Sequence, residues 1–265
     1  MLARLLEVAG AGPPVVYVPG IDGSGRYLLG TAARIAARFR LARLAYTAEI
    51  PPPPGGDTYS GLARSVLAGL DEAGFDRPLV LTESFGGAVA LQLALDAPER
   101  VAGLLIVNSF AHYAWRRRLA VSRLIAPLLP APLVRALRPV VAPRAFFHPR
   151  RDPAARRAFL ATPPAAFDAG YRRRLRMIRE LDLRPRLAEI RAPVALFASD
   201  RDRIVAAVPA ATVLQEGLPD ARLEILSGAG HLVLPLAAEP WPERLQELAG
   251  RAAALNRLRG IPPAP

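Results

Sequence analysis

Six short apolar runs, each closed by turn-forming residues, punctuate this chain: PPVVYVPG (13–20), LARLAYT (41–47), RPLVLTE (77–83), VAGLLIVNS (101–109), APVALFASD (192–200) and ARLEILSG (221–228). Runs of that length and closure read as buried strands. Between and after them lie stretches with apolar residues at helical spacing, at 26–39, 58–74, 84–98, 206–217 and 239–256. Strands alternating with helices predict an α/β fold: a mostly parallel sheet of six strands, joined by right-handed crossovers and covered on both faces. PPPPGGD (51–57) is a loop that neither element type crosses.

Residues 111–190 break the alternation. They hold 18 arginines against 5 acids, while the rest of the chain holds 17 against 18, so the whole net charge of +12 resides there. This segment predicts a basic helical insertion over the carboxyl edge of the sheet, where open α/β sheets bind ligands. The chain then divides into core residues 1–110, an inserted lid at 111–190 and core residues 191–265.

Composition removes several chemistries. The chain has no cysteine, so disulfides, thiolate metal sites and a cysteine nucleophile are excluded. Its three histidines, His112, His148 and His231, stand in unrelated contexts, and no metal site is expected. The N-terminal MLARLLEVAG makes a poor signal peptide because Glu7 interrupts it, and no segment has 18 uninterrupted apolar residues. The expected location is the cytoplasm.

The stretch TESFGGAVALQLAL (82–95) places Ser84 at the join of a strand and a helix. A serine there either caps the helix or, in the pattern G-x-S-x-G, stands on a tight turn as a nucleophile. Gly86 fits that pattern and Thr82 departs from it. A serine hydroxyl needs a base, an orienting acid and donors for an oxyanion. His231, in SGAGHLVL after the last strand, is the candidate base. Asp200 and Asp202, in LFASDRDRIV, are the candidate acids, with surface ion pairs to Arg201 and Arg203 as the alternative reading. The order Ser84, Asp200 or Asp202, His231 is the one expected of a strand-turn-helix nucleophile. Donors are expected from the amide of Phe85 and, in the loop PGIDGSGRY (19–27), from Ile21 or Asp22. The same loop evokes a phosphate cradle but lacks its GK[ST] ending.

With these residues in hand the chain resembles an α/β-hydrolase. VYVPGIDGSG, TESFGGAVA, LFASDRDRIV and GAGHLVL stand in the family's order over nearly the whole length. The first two are also similar to a hydrolase and acyltransferase-like branch of that family. The resemblance implies Ser84 as nucleophile, His231 as base and, of the two acids, Asp202. It departs in Pro19, where many members have histidine, in Thr82, and in the apparent lack of the first two of eight strands.

The expected activity is a serine hydrolase acting through an acyl-enzyme on an ester, thioester or lactone with an apolar acyl portion, with no cofactor. Acyl transfer to an alcohol by the same residues, and a non-catalytic binder on the same fold, are the alternatives. Tyr27, His112 and Leu232 are expected at the substrate pocket, and His148 on the surface. The basic, apolar lid could seat on an anionic membrane or steer an acidic carrier; an ordinary lid with its arginines in water is the bland reading. No nucleic-acid motif is present, and no nucleic-acid partner is expected.

Overall fold

The computed structural model describes residues 2–47, 57–125, 128, 130–147, 153–163 and 169–258. Most of the 51–57 loop, together with His148, lies outside these residues. The described chain forms one seven-stranded sheet: β1 (Leu2–Ala9), β2 (Pro14–Val18), β3 (Arg40–Thr47), β4 (Leu79–Glu83), β5 (Gly103–Val107), β6 (Val194–Ser199) and β7 (Ala221–Leu226). The spatial order is β1-β3-β2-β4-β5-β6-β7. β1 runs antiparallel to β3, and the other pairs are parallel.

The six expected strands are all present, and the seventh, β1, corrects the count. Its pairing register shifts between Leu5 and Glu7, so apolar residues lose their period of two along the strand. Leu6 and Val8 are left exposed at the sheet edge, a pattern that does not read as a strand. With β1 present, only one of the two strands thought missing from the usual eight is unaccounted for among the described residues.

Helices cover both faces. Alternate residues of the central strands supply the two cores, which is why these strands read as continuous apolar runs. Val16, Val80 and Leu104 pack with α2 (Tyr59–Ala73) and α3 (Phe85–Asp96); Val15, Leu81 and Leu105 pack with Ile35 of α1 (Gly30–Ala36) and Trp241 of α9 (Trp241–Leu258). α2 ends as its sequence dictates: the Thr58 hydroxyl accepts the Gly61 N–H at 3.0 Å, and Gly74 closes the helix with φ +66°. α1 is shorter than the 26–39 expected, because Leu29 takes φ +49° and breaks the helical path.

Residues between β5 and β6 form α4 (Arg116–Ile125), α5 (Ala131–Phe146), α6 (Pro153–Ala161) and α7 (Ala169–Glu180). α8 (Ala207–Gly217) then joins β6 to β7.

Candidate active site

Every loop that carries a candidate residue leaves the carboxyl end of a parallel strand: Ile21 and Asp22 after β2, Ser84 after β4, Asp202 after β6 and His231 after β7. The topology therefore gathers residues scattered over most of the chain at one edge.

Ser84 sits on the turn between β4 and α3 with φ +54° and ψ −127°. A non-glycine residue pays for that backbone in strain and holds it only where its surroundings enforce it. Here they do. The Ser84 N–H donates to the Val107 carbonyl at 2.9 Å, and the Ser84 carbonyl accepts the Gly87 N–H at 3.0 Å and the Ser109 hydroxyl at 2.6 Å. A Cβ at Gly86 would overlap the Thr82 hydroxyl and the carbonyl oxygens of Val18 and Pro19. Thr82 fits in place of glycine because its hydroxyl donates to the Val18 carbonyl at 2.9 Å, tying β4 to β2 beneath the turn. The Ser84 side chain makes no helix-capping hydrogen bond, which removes the bland reading of this serine.

The two acids part company. Asp200 is exposed, and its carboxylate accepts the Gly228 N–H at 2.8 Å. The Asp202 side chain is buried: Oδ1 accepts the amides of Ile204 and Val205 at 2.7 and 3.0 Å, and Oδ2 lies 2.7 Å from His231 Nδ1. A carboxylate only accepts, so His231 Nδ1–H donates and Nε2 is left with its lone pair. Burial lowers the basicity of His231, but the charge and hydrogen bond of Asp202, joined by Glu83, outweigh it and hold the imidazole above its ordinary value.

The loop after β2 is fastened on several sides. The Gly23 N–H donates to the Gly20 carbonyl, and the Tyr46 hydroxyl to the Pro19 carbonyl. Asp22 Oδ2 accepts both the amide and the hydroxyl of Ser24. A Cβ on Gly20 would stand 3.7 Å from the Ser84 Cβ, so this loop runs directly past the serine. Burial pushes the Asp22 carboxyl up, against the pull of Ser24 and Arg174.

A cavity of about 350 Å³ opens above these residues. Ile21, Asp22, Glu83, Ser84 and His231 line it near the serine, and Tyr27, Leu232, Phe146 and Phe159 contribute walls, with Leu133, Leu137 and Val141 of the inserted helix α5. His112 is not among its lining residues; its ring Nδ1 faces the Leu181 carbonyl at 3.3 Å. The Phe85 side chain points away into the core, packed against Tyr46 and Tyr59.

Three residues that the sequence reading passed over complete the site. Asn108, at φ +47°, donates to the His231 carbonyl at 2.7 Å and to the Ser199 hydroxyl at 2.9 Å, and accepts the Ser199 N–H at 2.7 Å. It thereby joins the ends of β5 and β6 to the histidine loop. Arg174 of α7 is almost fully buried, and its guanidinium donates to the carbonyls of Ile21 at 2.7 Å and Asp22 at 3.4 Å. Glu83 is buried beside Ser84; Oε1 accepts the Tyr17 hydroxyl at 3.1 Å and Oε2 has no hydrogen-bond partner. Burial raises its carboxyl to about 8.

A profile of the alpha/beta hydrolase family matches residues 10–249. The RutD protein of Azorhizobium caulinodans, a proposed carbamate hydrolase, is 30% identical over 92% of this chain and 94% of its own length. Among solved structures, a proposed non-heme bromoperoxidase, BpoC of Mycobacterium tuberculosis, superposes with a TM-score of 0.80 at 20% identity, over 95% of this chain and 97% of its own. The enol-lactonase of Burkholderia xenovorans LB400 superposes at 0.70 and 20% identity, over 96% of each chain. These structural likenesses concern the fold. The family match spans strands β2 to β7 and every candidate residue: the chain belongs to the alpha/beta hydrolase family.

Proposed function

We propose that this protein is a serine hydrolase that cleaves an ester, thioester or lactone with an apolar acyl portion. The observation that carries the reading is the buried Asp202–His231 pair, whose histidine lines the same cavity as a serine on a strained turn. In this reading His231 Nε2 takes the Ser84 proton as the serine oxygen attacks the substrate carbonyl. The amides of Phe85 and Ile21 hold the resulting oxyanion. The N–H of Asp22, next in the same loop, is the other candidate for the second donor. His231 returns the proton to the leaving alcohol or thiol, and an acyl-serine remains. Water, activated by the same nitrogen, then releases the acid and regenerates Ser84.

Arg174 acts in this scheme as a positioning residue. By gripping the carbonyls of Ile21 and Asp22 it fixes the peptide planes of the loop that faces Ser84. The apolar walls supply the acyl site and favour a larger apolar group over a small polar carbamate, the substrate class attached to RutD. The deciding experiment is labelling by a fluorophosphonate, which reacts with activated serines without any guess at substrate. Wild type is expected to label and Ser84→Ala not to; labelling that survives the substitution ends this reading.

A further inference from the structure

The outer face of the inserted helices has an unusual make-up. Eight of the 13 exposed large hydrophobic side chains among the described residues fall between Val121 and Val141. Leu124 and Leu128 are 71% and 73% exposed. A concentration of this kind marks a contact surface rather than scattered apolar exposure. Around it, the chain from Val101 to Arg151 has nine arginines and no acid. Arg116 and Arg117 of α4 and Arg144 of α5 are exposed. An ordinary solvated helix mixes both signs of charge; α4 and α5 contain no acid, and their exposed arginines stand among exposed apolar side chains.

We propose that α4 and α5 seat the protein on an anionic lipid surface. Apolar side chains would sink below the headgroups while arginines reach lipid phosphates, the arrangement that interfacial helices use. An acidic carrier protein would satisfy the arginines, but it leaves the exposed leucines unexplained. No described helix is long and apolar enough to cross a membrane, so the contact is peripheral.

The same surface leads inward. Leu133, Leu137 and Val141 recur every four residues along one face of α5. Each is about half exposed, and each also lines the cavity above Ser84. An acyl chain leaving the lipid would therefore meet a largely apolar row of side chains on its way to the serine. This part rests on the hydrolase reading, and it narrows the substrate class to esters presented by a lipid surface.

The test is vesicle co-sedimentation of the full chain carrying Ser84→Ala, so that binding is measured without turnover. Vesicles of phosphatidylcholine mixed with phosphatidylglycerol are compared with phosphatidylcholine alone. Binding to the anionic vesicles is expected to be about tenfold tighter or more, and to weaken as salt is raised. Leu124→Glu/Val140→Glu, and separately Arg116→Gln/Arg117→Gln, should each lower it about tenfold. In an otherwise wild-type chain both doubles should hydrolyse a short soluble ester at the unsubstituted rate, since none of the four residues lines the cavity. Absence of vesicle binding, equal binding to neutral vesicles, or retention of an acidic carrier protein in place of vesicles overturns the proposal. Vesicle binding without esterase activity in the wild type would leave the docking surface standing and sink the hydrolase reading alone.

Discussion

Glu83 offers the most quantitative handle on this site. Its carboxyl is buried next to Ser84, one oxygen has no partner, and its pKa is raised from 4.5 to about 8. The unfolded chain releases this proton near 4.5, whereas the folded chain keeps it to about 8. Between those values the folded state holds one proton more, so stability falls as pH rises, by about 1.4 kcal/mol per pH unit. Over the whole interval the loss is roughly 5 kcal/mol, comparable with the total stability of many domains. Below 4.5 and above 8 this contribution is flat. Glu83→Gln keeps an acceptor for the Tyr17 hydroxyl but cannot ionise. Its stability, followed by urea denaturation from pH 4.5 to 8.5, should therefore gain steadily on the wild type, with nearly the whole difference acquired between pH 5 and pH 8. Groups that do not interact with Glu83 cancel in the subtraction; His231 and Asp22, whose charges act on it, leave a smaller contribution of their own. Parallel profiles for the two proteins would show that Glu83 is not held protonated, and the account of its burial would fail.

Three further predictions concern the neighbours of the proposed nucleophile. Arg174→Gln should lower kcat about 10- to 100-fold with KM little changed, and Arg174→Lys should recover part of the loss, because the oxyanion is held only in the transition state and lysine lacks the forked donor; an effect confined to KM would contradict the positioning role. The acid limb of kcat/KM should lie above pH 6.5, since His231 must be neutral to take a proton and its pKa is raised; in Asp202→Asn the two upward pulls of that carboxylate are gone, only the weaker one of Glu83 still opposes burial, and the limb should move to lower pH, with a rate loss on the order of a thousandfold or more. Asn108→Ala should cost about 3 kcal/mol or more in urea denaturation, because it leaves the His231 carbonyl and Ser199 N–H buried without partners and puts a residue at φ +47° that tolerates it less well than asparagine.

What the sequence made legible was whatever repeats locally. β2 and β4 to β6 have both faces buried, so each appears as an apolar run wherever the chain is cut. β1 hides because its bulge slips the alternation and its edge position leaves Leu6 46% exposed. Ser84 and His231 stood out by their glycine-rich settings and their order along the chain. Asp200 and Asp202 could not be separated that way, because both follow the same strand by one or three residues; only the fold shows that the former turns to Gly228 and the latter to His231.

The residues that escaped notice share one physical property: their partners are far away in the chain. Asn108 lies 123 residues from His231, and Arg174 lies 153 from Ile21. No spacing rule reaches so far. Yet each carried a faint local mark. Asn108 ends a strand in a sequence otherwise wholly apolar, LLIVN, and asparagine is among the few residues at ease at positive φ. A buried polar group must find partners, and at the carboxyl end of a central strand those partners can only be the neighbouring loops. Arg174 is harder, being one of five arginines in α7 and its neighbours, YRRRLRMIR. What separates it from Arg172 and Arg176, both exposed, is the turn of the helix that places it with Leu175 and Ile178 on the face toward the sheet. An arginine taken out of water on an otherwise apolar face requires acceptors, and here they are the two carbonyls of the loop that runs past the serine. The cost of burying that charge is met only while the loop keeps its shape, so α7 and the proposed oxyanion loop are held in one conformation by the same guanidinium.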